Sequence, residues 1–127
     1  MEKLQFDSGV RTFRVNGGEK LCFHPGDPNL YARLQAAAEK LPEIQKNMAG
    51  ADVPQLLTQT DRQVKALLSE VFPGNDMEKI FAGVNLLAPT ATGKTVFENF
   101  IDALMPILTR GAEDCAKSLM KDAGDGK

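Results

Sequence analysis

The 127-residue chain has no tryptophan, one tyrosine, one histidine and two cysteines. With His24 alone there is no histidine pair to hold a metal, and Cys22 and Cys115 lie far apart without a second cysteine at ligand spacing. No catalytic, cofactor-binding or metal-ligating set is therefore expected. A chain with this many apolar residues does not need a disulfide for stability, so both cysteines read as reduced thiols of a cytoplasmic protein. An excess of positive charge is also lacking. The net charge of −2 and a pI near 5.4 provide no field for a nucleic-acid backbone, so no nucleic acid is expected as partner. No run approaches the about 18 apolar residues of a membrane span, and "MEKLQFDSG" contains no apolar leader segment, so no membrane partner is expected either.

What remains is ordinary for one globular domain, 1–127, at 43% apolar and 25% charged residues. The expected class is α+β, mainly α: a β-hairpin over 9–24, about four helices over 27–121, and a frayed tail over 122–127. The hairpin signal is "VRTFRVNGGEKLCF", two alternating runs around Asn16-Gly17-Gly18. A three-residue loop places Phe13 opposite Leu21 and Val15 opposite Glu19, gathering Phe13, Val15, Leu21 and Phe23 on one face, with Gly18 expected to take the left-handed conformation. A lone hairpin is marginal in water, so helices or another chain must cover that face. Both faces are partly apolar and no proline guards the edge. Homo-oligomerisation through Phe13, Val15, Leu21 and Phe23 is accordingly expected, by edge pairing or face packing, with burial in the monomer's own core as the open alternative.

Asp27 and Pro28 read as N-cap and first residue of a helix whose seam is Leu30, Leu34, Ala37, Leu41, Ile44 and Met48. Pro42 interrupts hydrogen bonds but not the seam, which predicts one kinked helix ending at Gly50. Asp52 and Pro54 open a second helix with Leu57, Val64, Leu67, Leu68 and Val71 inward. A short turn then presents Met77, Ile80 and Phe81. The last helix starts at Thr95 behind a capping-box pattern, Thr95-x-x-Glu98, and is expected to bend or break near Pro106 and Gly111.

"APTATGKT", 88–95, matches the loosest form of a phosphate-binding loop. Such a loop needs a buried strand before it and a later strand carrying an acidic magnesium ligand. The 32 residues after Thr95 read as helix, so the match is set aside. Asp61, Asp76, Asp102 and Asp114 fall at helix-surface positions and read as solvated charge.

Two stretches carry a family likeness: the hairpin running into Phe23-x-Pro25-x-Asp27-Pro28, and Phe97-x-x-Phe100-Ile101-x-x-Leu104-x-Pro106. In their order along residues 5–110 the chain resembles tail assembly chaperones of long-tailed bacteriophages and prophages of Gram-positive hosts. The resemblance implies a non-enzymatic role in the cytoplasm of the bacterial host: binding the tape-measure protein and recruiting tail-tube proteins in virion morphogenesis. Phe97, Phe100, Ile101 and Leu104 form the candidate partner surface. The alternative is a structural particle component such as a head-tail connector or tail terminator.

Overall fold

The alternation between Val10 and Phe23 does fold into a hairpin. In the computed structural model of the chain, which describes residues 2–46 and 53–125, β1 (Arg11–Arg14) pairs antiparallel with β2 (Lys20–Phe23), and Phe13 faces Leu21. The Val15 amide donates to the Glu19 carbonyl at 2.9 Å, as the longer loop requires, while the Gly18 amide closes a tight turn on the Val15 carbonyl at 2.9 Å. The left-handed residues are Asn16 (φ 50°) and Gly17 (φ 73°), not Gly18. A tight hairpin turn of this kind requires positive φ at both central positions, and Asn followed by Gly meets that demand at least cost.

The hairpin's apolar face turns inward. Leu21 and Phe23 are 3% and 5% exposed, and Phe13 and Val15 pack half-buried on the same cluster. An aromatic ladder joins them to the helices, with ring centroids 4.9 Å apart for Phe13 and Phe23 and 5.0 Å for Phe23 and Phe72. The open alternative is thereby resolved for Leu21 and Phe23: the chain's own helices cover them.

Helix α1 (Pro28–Lys46) begins where expected, the Asp27 carboxylate accepting from the Asn29 amide at 2.9 Å, and it continues through Pro42. Leu30 is fully buried, whereas Leu34, Ala37, Leu41 and Ile44 are only half-buried. Met48, Gly50 and Asp52 lie outside the described residues. Helix α2 (Val53–Val71) buries Leu56, Val64, Leu67, Leu68 and Val71, with Leu56 rather than Leu57 fully inward. Leu56, Thr60, Val64, Leu68 and Val71 follow one another at steps of four, four, four and three, and Leu57, seven residues before Val64, lies on the same side but is only half-buried. The Arg33 guanidinium donates to the Val71 carbonyl at 3.0 Å and ties the end of α2 to α1.

Asp76 caps the short α3 (Met77–Ile80), whose Met77 and Ile80 are buried beside Phe81. Helix α4 (Val96–Asp125) then runs without interruption across both Pro106 and Gly111 and into the expected tail. Neither residue breaks it, for different reasons. Pro106 is exposed, so the carbonyl it leaves without an amide faces water. Gly111 is buried where the chain passes close: a Cβ there would lie 2.2 Å from the Pro25 carbonyl oxygen. Its lack of a side chain serves that approach and not a helix end.

Candidate functional site

Helices α1 and α2 pack closely along their length, whereas α4 stands off from both. Between the three runs an open groove of about 580 Å³, walled by Leu34 and Leu41 of α1, Leu67 and Leu68 of α2, and Phe97 and Ile101 of α4. The half-buried part of the α1 seam is one wall of this groove. Met105, 50% exposed, stands on its rim. Among the described residues almost no polar atom lines it, and Tyr31 and Glu113 are the only titratable groups at its margin. Such a surface can bury apolar side chains, but it offers no array of acids, bases or nucleophiles for bond-making chemistry.

A second hollow, of about 690 Å³, lies on the other flank of α4, between the hairpin, the chain after α3, and α4 itself. Phe13, Val15, Phe100 and Ile107 line it. The residues anticipated as a partner surface are therefore divided. Phe97 and Ile101 face the first groove, and Phe100 faces the second, edge-on to Phe81 with centroids 5.0 Å apart. Leu104 is buried in the septum between the two.

The β2 edge of the hairpin is not freely available for strand addition. On the β2 side the Asn75 carboxamide behaves like a third strand: its oxygen accepts from the Cys22 amide and its nitrogen donates to the Cys22 carbonyl, both at 2.9 Å. On the β1 side stand Arg11 and Arg14, both exposed, with Arg11 over the Phe13 ring at 4.9 Å. Charged side chains on an edge strand oppose pairing with a second copy.

The loop 88–95 consumes its own donors. The Gly93 amide donates to the Thr90 carbonyl at 3.1 Å, and the Lys94 amide to the Thr92 hydroxyl at 3.3 Å. The Thr95 amide donates to Glu98 at 3.1 Å, while the Glu98 amide returns to the Thr95 hydroxyl at 3.2 Å, which is a complete capping box. Lys94 points along α4 to Asp102 at 2.6 Å, and that carboxylate raises the ammonium above the ordinary lysine value. The amides of Gly93, Lys94 and Thr95, the Gly-Lys-Thr part of the match, are thus spent on the loop and the helix cap.

Asp61 departs from expectation most. It is buried on α2 with Lys65, Nζ to carboxylate 3.0 Å, and accepts from the Leu86 amide at 2.8 Å. Lys65 also donates to the Val84 carbonyl at 2.9 Å and to Glu78 at 3.1 Å. The reason is tertiary: the chain after α3 returns over α2 and brings backbone groups that require partners. Asp76, Asp102 and Asp114 are exposed as expected. The Tyr31 hydroxyl lies within hydrogen-bond reach of the Pro25 and Leu108 carbonyls, 2.7 and 2.6 Å, and fastens α1 to α4 at one end of the groove. Burial, with the nearby Cys115, pushes its pKa up.

Among the described residues no group of three acidic, histidine or cysteine side chains is placed to hold a metal, and no helix is long and apolar enough to cross a membrane. The α1 and α2 walls of the groove were the part that sequence reasoning missed. The usable signal was that both helices carry long apolar seams in a chain with few aromatic residues to fill the space between them. No family model matches the chain, and no curated protein or solved structure is detectably similar to it.

Proposed function

We propose that the chain binds an amphipathic helix of a partner protein in the groove between α1, α2 and α4, acting as a tail assembly chaperone that shields apolar segments of a tape-measure protein. The observation that carries this reading is the open apolar groove itself. Along α4 it extends from Phe97 to Glu113, seventeen residues spanning about 24 Å of helix, enough to seat about four turns of a partner. Recognition of this kind rests on anchors spaced i, i+3, i+4 and i+7 that enter a preformed apolar channel. The identity of the partner rests on the family resemblance alone. The role is non-enzymatic, is exercised in the cytoplasm of the bacterial host, and ends when tail-tube proteins replace the chaperone on the tape measure.

Co-expression with a tape-measure protein of a long-tailed phage of the same host tests the reading. The two should copurify, and the tape-measure protein should stay soluble only in the chain's presence. Ile101→Glu should abolish copurification while leaving the helical circular dichroism in place. Absence of copurification, or a fixed copy number of the chain in mature particles, would instead favour a structural component such as a connector or terminator.

A further inference from the structure

The apolar face that α4 presents to the groove does not stop where the groove stops. Phe97, Ile101, Met105, Leu108 and Ala112 lie on one side of the helix, and with 3.6 residues per turn the same side continues through Cys115 to Leu119. There Cys115 and Leu119 border a smaller hollow with Gly9, Arg11 and Pro25. Leu119 is 65% exposed and its neighbour Met120 is 74% exposed. One molecule therefore carries both an open apolar groove and, farther along the same side of α4, a largely exposed Leu119 with Met120 beside it.

We propose that this helix end fills the groove of a second copy, giving an antiparallel two-fold dimer in which each α4 lies along the other. The midpoint between Ile101 and Leu119 is residue 110, so a two-fold axis there sets Leu119 of one copy against Ile101 of the other, and the same contact recurs on the opposite side. A self-complementary contact of this kind closes on itself and does not extend into a filament. The exposed end from Ala112 to Met120 is about 12 Å long against a groove of about 24 Å, so it fits within the channel. Phe6, in the chain's other exposed apolar segment, cannot take this place within its own molecule. That segment is held at Gly9, beside the Arg110–Leu119 stretch of α4. Three residues from Gly9 reach about 10 Å, whereas Ile101 lies about 15 Å along the axis from Gly111 and about a quarter of the helix circumference away. Because the groove is also the seat proposed for the partner helix, the dimer is the resting state that the partner displaces; that part rests on the functional reading above.

Sedimentation of the full chain tests the dimer independently of any partner. The wild type should sediment at twice its 13.8 kDa. Leu119→Glu/Met120→Glu should sediment as a monomer with at least 100-fold weaker association and unchanged helical circular dichroism, since both side chains are exposed in the monomer. Ile101→Glu should weaken association from the groove side, and mixing the two variants should restore part of it, because one intact seat forms in the heterodimer. A monomeric wild type at millimolar concentration overturns the proposal. So does a dimer that survives Leu119→Glu/Met120→Glu, or one that Leu4→Ser/Phe6→Ser dissociates. The Leu119→Glu/Met120→Glu monomer keeps its own groove and should still copurify with the tape-measure protein. Loss of copurification in the wild type with an intact dimer would sink the functional reading alone.

Discussion

The two flanks of α2 are filled in different ways. On one, Asp61 and Lys65 hold the chain after α3 by its backbone, Leu86 is completely buried, and among the described residues every buried side-chain nitrogen and oxygen has a partner. On the other, Leu67 and Leu68 look across a groove at Ile101 and Met105 with nothing seated between. Directional polar contacts demand one geometry, because a buried charge left without its partner is costly. Apolar contact is non-directional and tolerates a wall that is met only on one side. The locked flank therefore specifies the monomer's fold, and the open flank is available for another helix.

The largest expected effect breaks the locked flank. Lys65→Met leaves Asp61 buried without its ion pair and the Val84 carbonyl without a donor, and should lower unfolding free energy by about 3–5 kcal/mol in urea denaturation. Adding Asp61→Leu should recover much of that loss if the charge is the cause. Next comes Gly111→Ala. The helix propensity gain of about 1 kcal/mol is outweighed by the collision with Pro25, for a net loss of about 1–2 kcal/mol. A raised thermal midpoint would show that the two segments move apart freely.

Asn75→Ala removes both bonds to Cys22 and should cost about 1–3 kcal/mol, with faster hydrogen exchange at the Cys22 amide as its local mark. Met105→Ser defines the other end of the scale. Its side chain is half exposed on the open flank, so stability should change by no more than about 0.5 kcal/mol. Association in sedimentation and tape-measure copurification should both weaken. A large stability loss there would mean that the groove closes in solution.

The hairpin register was legible because its side chains alternate with period two and only one loop length places four apolar residues together. The Thr95-x-x-Glu98 cap was legible because both partners lie within one turn. The two-sided role of α4 was not. Phe97, Phe100, Ile101 and Leu104 share a helix but diverge by up to about 100° around its axis, and the pattern does not say which neighbour each meets. Asn75 is 53 residues from Cys22, and no local signal announces that its carboxamide will serve as an edge strand.

By itself the sequence determined the elements: where the hairpin turns, where α1 and α4 begin, and which residues repeat at helical spacing. These follow from dihedral preferences and from contacts within a few residues, which the chain carries wherever it goes. Only the tertiary structure decided that Asp61 is buried and not solvated, that Gly111 admits Pro25 instead of ending a helix, and that α4 stands away from α1 and α2. Each depends on which distant segment arrives, and that is settled by how the whole set of apolar faces and buried polar groups can be satisfied at once.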